Sequence, residues 1–420
     1  MAARQISSYL TADLLAGTRR TTYWITVALF SAVAVPLLWG YSGTAAMTWM
    51  YVYHPSDVTS WAELVDYIAG LRVPIPVLIS ITEIADYQLF GDLFLSSRVA
   101  YPASIFFGFA FALWLASTSR LRLAAAFVLS LVYVWGLRIV HFGNPQTYDV
   151  IFPALVLLYA VLLEQARRGE AGDRWAAAAA VGAGFALSAT ELTRPYIIFL
   201  LPCLLIAAVL FLRPTGWRRI ALFLMPVAIL SGGWHLHIAN SQEQLVWSNH
   251  SGFNLQRSWS MVPMPPLVEE VDSAPLAPDR WPNLNTPEHS ENSRRIQAAV
   301  IAFIRENPGE SAIHILRRLE TFLAVPTGFY SWQPDNPGLR YYRWAVWAGL
   351  AWLVAQSLPA VKALFRGDWR AFITPESQII AVTVVSILIL AIAEQGEEAR
   401  MWVSILPLLA VLPNIRNSDG

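Results

Sequence analysis

The sequence predicts an all-α, polytopic integral membrane protein of about ten spans, with amphipathic helices and one long loop gathered on one face. Three observations predict it. Hydrophobic residues make up 56% of the 420 and charged residues only 14%, with a mean hydropathy of +0.46, which is more apolar surface than a soluble fold can hide. The apolar residues fall in runs without the period-two alternation of a barrel, and lipid offers free backbone amides no partner, so the spans are helices. The arginines cluster in alternate short loops.

The expected spans are Tyr23 to Gly40, Val99 to Ser117, Leu123 to Val140, Val150 to Leu163, Ala176 to Thr190, Tyr196 to Leu212, Ile220 to Ile238, Trp344 to Leu358, Ile379 to Ala393 and Met401 to Leu412. A crossing of roughly 30 Å takes about 20 helical residues, so the shorter runs borrow a turn from polar flanks or are covered by neighbours. Under this assignment Arg19/Arg20, Arg120/Arg122, Arg167/Arg168/Arg174, Arg213/Arg218/Arg219 and Lys362/Arg366/Arg370 share one side. Positive charge marks the cytoplasmic side. A multi-pass protein of the plasma (inner) membrane with both termini cytoplasmic is therefore expected. The first apolar run lacks a small-residue cleavage site and reads as a signal anchor.

Three parts follow: residues 1–238 with spans one to seven and an acidic first exoplasmic loop at 41–98, residues 239–343 as a long exoplasmic loop with a juxtamembrane helix, and residues 344–420 with the last three spans. Net charge is zero, so no global field attracts nucleic acid. The single cysteine, Cys203, lies inside a span, which leaves the long loop to be ordered by packing and rules out a thiolate metal site. Tryptophans Trp247, Trp259, Trp281 and Trp332 sit in that loop, where they pack against the membrane domain or offer faces for stacking.

The first loop carries Asp57, Glu63, Asp66, Glu83, Asp86 and Asp92 against Arg72 and Arg98. The run from Trp61 to Leu71 reads as an amphipathic surface helix with Trp61, Leu64, Ile68 and Leu71 as its apolar stripe and Asp57 at its start. Asp57 is then either a cap that complements the helix dipole or a reacting group. Glu63 and Asp66 read as its solvated face. Asp149, in the turn before the fourth span, has the same two readings, because an acid beside lipid is costly unless it caps or reacts. Both acids fall on the exoplasmic side. His235 and His237 are two apart on a helix, so they point to different faces and do not share a metal ion.

Several segments resemble the GT-C superfamily of membrane glycosyltransferases, in particular the branch of dolichyl-phosphate-mannose protein mannosyltransferases and bacterial aminoarabinose transferases. Asp57 after the first span and LFGDLFLSSRVAYP leading into the second resemble that family's first loop and its lFG-x-x-x-x-x-R pattern, with Arg98 as the arginine. QTYDVIFPALVLLYAVLL is similar to the family's Y-x-x-D segment and makes Asp149 the counterpart of its second acid. ALSATELTRPYIIFLLP with Arg194, GFNLQRSW, ENPGESAIHILRRL and GEEARMWVSILPLL extend the likeness over most of the chain. Where relatives carry an acidic pair after the first helix, this chain has Asp57 with Val58 beside it.

The resemblance implies transfer of a sugar from a polyprenyl-phosphate-linked donor to a glycan, lipid or protein acceptor at the exoplasmic face, with inversion. Such a reaction needs a base for the acceptor hydroxyl and cations for the departing phosphate. Asp57 is the expected base and Asp149 the residue that orients the acceptor or stabilises charge at the anomeric carbon. Arg400 is the expected phosphate ligand, helped by Arg317, Arg318 and Arg194, with Glu63, Arg98, Arg138, His141 and Glu397 as further candidates. The bland alternatives are snorkelling for Arg317/Arg318 and pairing of Arg400 with Glu397 or Glu398. No cofactor is assigned, and a divalent metal has no clear ligand set. Two other functions fit the membrane setting: a lipid-linked polysaccharide polymerase or ligase using Arg257 and Arg294/Arg295, and a transporter, which needs charges at mid-depth that are scarce here.

Overall fold

The computed structural model describes residues 18–39, 58–71, 93–116, 120–140, 147–169, 172–242, 251–268, 287–324, 337–368, 373–393 and 405–409, with isolated positions at 77–88 and 370. Among them the only regular structure is helical. The elements are α1 (Thr18–Trp39), α2 (Trp61–Gly70), α3 (Leu93–Ala116), α4 (Arg120–Val140), α5 (Thr147–Arg168), α6 (Arg174–Thr193), α7 (Leu201–Leu212), α8 (Trp217–Val227), α9 (Gly233–Gln242), α10 (Ser251–Ser258), α11 (Pro287–Glu306), α12 (Pro308–Ala324), α13 (Pro337–Phe365) and α14 (Pro375–Ala393). Nine of the ten expected spans coincide with these helices, and the tenth is helical over its described residues 405–409.

Among the described residues four helices are long and apolar enough to cross a membrane: Val150–Arg168, Arg174–Thr193, the composite Trp217–Gln242 and Pro375–Ala393. The chain is a polytopic, all-α membrane protein. Two of the expected spans are not plain α-helices. The sixth starts as a 3-10 turn, Pro195–Phe199, because Pro195 and Pro202 cannot donate amides to a continuous ladder. The seventh passes through a π-helical segment, Ala228–Gly232, between α8 and α9. Pro226 and the Gly232–Gly233 pair bracket that segment, and a π adjustment is one way a proline-interrupted span satisfies its backbone.

Helix α6 is the spine of the bundle. Its small residues Ala176, Ala179, Ala180, Ala183, Gly184 and Ala186 are all buried, as packing without a hydrophobic driving force requires when backbones must approach closely. It pairs antiparallel with α5 through a tight turn in which Gly172 has φ +91°, a value that L side chains rarely adopt. Asp173 then caps α6 by accepting from Trp175 N at 2.9 Å. On its other side α6 meets α8. A Cβ at Gly184 would lie 2.2 Å from the Phe223 carbonyl oxygen.

Polar ties cross the apolar core where side chains have no water to turn to. Tyr23 donates to Ala110 O at 2.6 Å, Tyr159 donates to Gln378 Oε1, and Tyr196 donates to Ser386 Oγ at 3.1 Å. Ser188, Thr190 and Thr383 return their hydroxyls to the carbonyl four residues back, which satisfies them without a partner helix.

The two ends of the bundle differ. At one end Arg219 donates to Ala166 O at 2.8 Å, the Arg167 guanidinium lies 4.4 Å from the Phe211 ring and Arg168 pairs with Glu164 at 2.7 Å. The start of α14 joins this end through Gln378 and Tyr159. At the other end lie the start of α5, the finish of α6, Tyr196 and, one turn and more past Ser386, Ile392, which packs against the cluster of Trp259, Val262 and Val300 in the long-loop segment. The arginine-rich turns at 166–174 and 213–219 and the helices of the two long loops thus occupy opposite ends of the bundle.

Replacing Gly184 with alanine forces a methyl group against a backbone carbonyl that cannot rotate away. The variant is expected to lose about 1–3 kcal/mol of stability, read as a lowered thermal midpoint in detergent, while Ala183→Gly stays within about 1 kcal/mol of the parent.

Candidate functional site at the first-loop end

Helix α2 begins on a capping box rather than on Asp57. Ser60 is the N-cap, accepting from Glu63 N at 3.2 Å, and Glu63 Oε2 reaches back to accept from Thr59 N at 2.5 Å and Thr59 Oγ1 at 2.9 Å. The pattern Ser60-x-x-Glu63 was the readable signal for this start. It assigns the cap to Ser60 in place of Asp57, and it commits the Glu63 carboxylate to the helix start. Asp66 stays exposed.

The buried stripe of α2 is Leu64, Tyr67 and Leu71, with Ile68 half-buried. Trp61 points outward at 65% exposure, with Val65 beside it at 64%. The stripe turns by about one residue from the expected one because Tyr67, not Trp61, meets the cluster below. That cluster is Val58, Val77 and Ile84 from the first loop with Leu192 of α6 and Trp234 and Ile238 of α9. A backbone bond fastens it: His237 Nε2 lies 2.9 Å from Leu71 O, so that nitrogen carries the proton and donates.

Beneath this cluster is a buried polar group that the hydropathy pattern did not single out. Glu191, on the last turn of α6, is 1% exposed, and its Oε1 lies 2.8 Å from His235 Nε2. Glu191 Oε2 has no hydrogen-bond partner. An acid at the end of an apolar helix is expensive, and that cost was the available clue in ATELTRP. His235 and His237 do point to different faces, one to Glu191 and one to the first loop.

Arg194 ends α6 and is 8% exposed, with its guanidinium carbon 5.9 Å from the centre of the Phe152 ring. Phe152 lies one turn after Asp149 on α5, so the site assembles the backbone position of Asp149, the side chain of Arg194 and the underside of the first loop. Phe152 also meets Tyr196, with ring centres 6.2 Å apart. Asp57 lies outside the described residues, but Val58, its neighbour in the chain, is buried in the cluster over Leu192.

Other expected residues are spread more widely. Arg98 lies on α3 and Arg138 on α4, while His141, Glu397 and Arg400 lie outside the described residues. On α12, Arg317 is exposed and Arg318 is 8% exposed. Arg318 lies four residues after His314, whose Nε2 is 2.8 Å from Ser258 O, so this face of α12 is turned toward α10. Snorkelling therefore describes Arg317 better than Arg318. Trp259 is fully buried against His314 and serves packing; Trp247, Trp281 and Trp332 lie outside the described residues. Arg294 and Arg295 both pair with Glu291, whose carboxyl these bonds hold below its usual range. Asn292 clamps the proline-rich strip by accepting from Val268 N at 2.7 Å and donating to Val268 O at 3.1 Å. Among the described residues no group of three or more His, Cys, Asp or Glu side chains is placed to hold a metal ion.

No family model and no curated protein matches the chain. Among solved structures it is similar to crystal structures of ArnT from Cupriavidus metallidurans. For the form bound to undecaprenyl phosphate the identity is 16% and the TM-score 0.37, covering 92% of this chain and 77% of that one. For the apo state they are 15% and 0.35, covering 93% and 78%.

The Glu63 bonds carry a pH signature. The amide and hydroxyl of Thr59 hold its carboxyl below the usual range, so the folded state binds that proton more weakly than the unfolded chain and the contribution is present above the ordinary carboxylate pKa. As pH falls below the ordinary carboxylate range and through the lowered value, the start of α2 is expected to loosen. Amide exchange of residues 60–71, corrected for intrinsic rate, should rise on acidification in the parent and lose that dependence in Glu63→Gln.

Proposed function

We propose that this protein is a membrane glycosyltransferase of the GT-C type, moving a sugar from a polyprenyl-phosphate-linked donor to an acceptor at the exoplasmic face. The observation that carries the reading is convergence at one end of the bundle. The first-loop cluster rests on Leu192, Arg194 follows two residues later, and Phe152, one turn from Asp149, lies under the Arg194 guanidinium. These are the segments that the family motifs single out, and the arginine-rich turns that define the cytoplasmic side lie at the opposite end.

In this reading Asp57 takes the proton of the acceptor hydroxyl as that oxygen attacks the anomeric carbon, and the sugar–phosphate bond breaks on the opposite face with inversion. Asp149 orients the acceptor or stabilises the positive charge at the sugar carbon. Arginines meet the phosphate that leaves, because a planar guanidinium matches phosphate oxygens at two points. Arg400 is the principal one, with Arg194, Arg318 and Arg317 as helpers. Burial strengthens the case for Arg194 and Arg318, since a cation withdrawn from water acts on an anion with less screening. The isoprenoid tail lies in lipid between helices.

The polymerase or ligase reading asks Arg257, Arg294 and Arg295 to face substrate; Arg294 and Arg295 are engaged with Glu291, and Arg257 is exposed in the last turn of α10. Both readings share a lipid-phosphate substrate, so substitution separates them. Asp57→Asn at normal expression is expected to lower sugar transfer from a polyprenyl-phosphate donor about 10²–10⁴-fold, whereas Arg294→Ala/Arg295→Ala leaves it within a few fold. Retained transfer in Asp57→Asn would sink the assignment. Native mass spectrometry of the purified protein should also find a bound polyprenyl phosphate or its sugar adduct.

A further inference from the structure

Among the described residues Glu191, 1% exposed, is the most deeply buried carboxylate, and half of its accepting capacity is unmet: Oε1 binds His235 and Oε2 binds nothing. A buried polar group with one oxygen left unsatisfied weakens a fold relative to an apolar side chain of similar volume. Helix packing alone therefore gives no reason for it.

The two histidines of α9 supply a reason. His235 and His237 flank Leu236, so one turns inward to α6 while the other turns toward the first loop, where its Nε2 donates to Leu71 O. They emerge directly from the π segment, whose winding sets the rotation of everything after it. Rotating α9 to relax one contact withdraws the other. Leu71 closes α2, and Val58 at the opposite end of the same packed stretch follows Asp57 in the chain.

We infer that Glu191 and His235 form a positioning pair: by fixing the rotation of α9, they hold the His237–Leu71 bond and with it the first-loop helix over the end of α6. Neither residue touches substrate in this assignment. The Glu191 carboxylate orients the His235 ring, the ring locks α9, and α9 presents His237 to the loop. For transfer chemistry the inference rests on the glycosyltransferase reading above, because only there does the position of the first loop matter to turnover. The contacts themselves are independent of that reading.

The test is amide exchange on the full-length protein in detergent or nanodiscs. Glu191→Ala and His235→Ala are each expected to raise exchange across residues 60–71 roughly tenfold, as His237→Ala does, while exchange in α11 stays unchanged and certifies the fold. Glu191→Gln is expected to restore parental protection, because its amide oxygen still accepts from His235 Nε2–H. Where Glu191→Ala does not fold, His235→Ala decides alone. Unchanged exchange at 60–71 in a variant with parental α11 would overturn the inference, as would Glu191→Gln behaving like Glu191→Ala. A transferase assay adds a second reading: in Glu191→Ala activity falls with loop protection, and in Glu191→Gln both return. If the parent protein shows no transfer, the functional proposal fails while the exchange result still judges the positioning pair.

Discussion

The close approach of α6 to its neighbours is the constraint on which the architecture depends. Its backbone meets α8 at Gly184, where not even a methyl group fits, and its alanine face accepts α5 along a full antiparallel hairpin. A lipid environment gives helices little apolar drive to associate, so this packing rests on shape and dispersion. The arrangement also fixes what stands at each end of α6. Asp173 and Arg174 mark one terminus, beside the arginines of the neighbouring turns; Glu191 and Arg194 mark the other, under the first loop.

That polarity links packing to chemistry. A membrane protein keeps its charges near an interface, because the bilayer interior penalises them. Here the charged side chains of α6 are confined to its ends, and the middle holds Ala179, Ala180, Ala183 and Gly184. The first loop and the long-loop helices occupy one end, and side-chain-to-backbone bonds tie the long-loop helices together. Asn292 binds both backbone groups of Val268, and His314 binds Ser258 O. The described helices of the long loop, without a disulfide to hold them, are fastened by such bonds and by the burial of Trp259.

Hydropathy was enough to find the helices, because apolar runs of the right length have few other structures open to them in lipid. Arginine placement was enough to separate the two ends. The finer readings depended on local geometry that composition does not carry. Asp57 looked like the natural start of α2, but the Ser60–Glu63 box three residues later is a stronger initiator, since it satisfies amides from both directions. Trp61 looked like part of the packed stripe, yet the face that meets Leu192 and Trp234 is centred on Leu64 and Leu71. Arg194 was legible from its motif. Glu191, three residues before it, was passed over because its role depends on a histidine 44 positions away.

The π-helical stretch at Ala228–Gly232 has an implication for how this membrane segment tolerates length changes. Regular α-winding advances about 100° per residue, and a π turn, with its i→i+5 bonds, takes up roughly one extra residue in the same rotation, so losing one residue there with rewinding to α would leave both α9 histidines facing as they do now and the apolar span almost as long as before. Loss of one amino acid within the regular turns of α8 would be as silent to the bilayer, yet would turn His235 and His237 away from the groups they meet across the bundle.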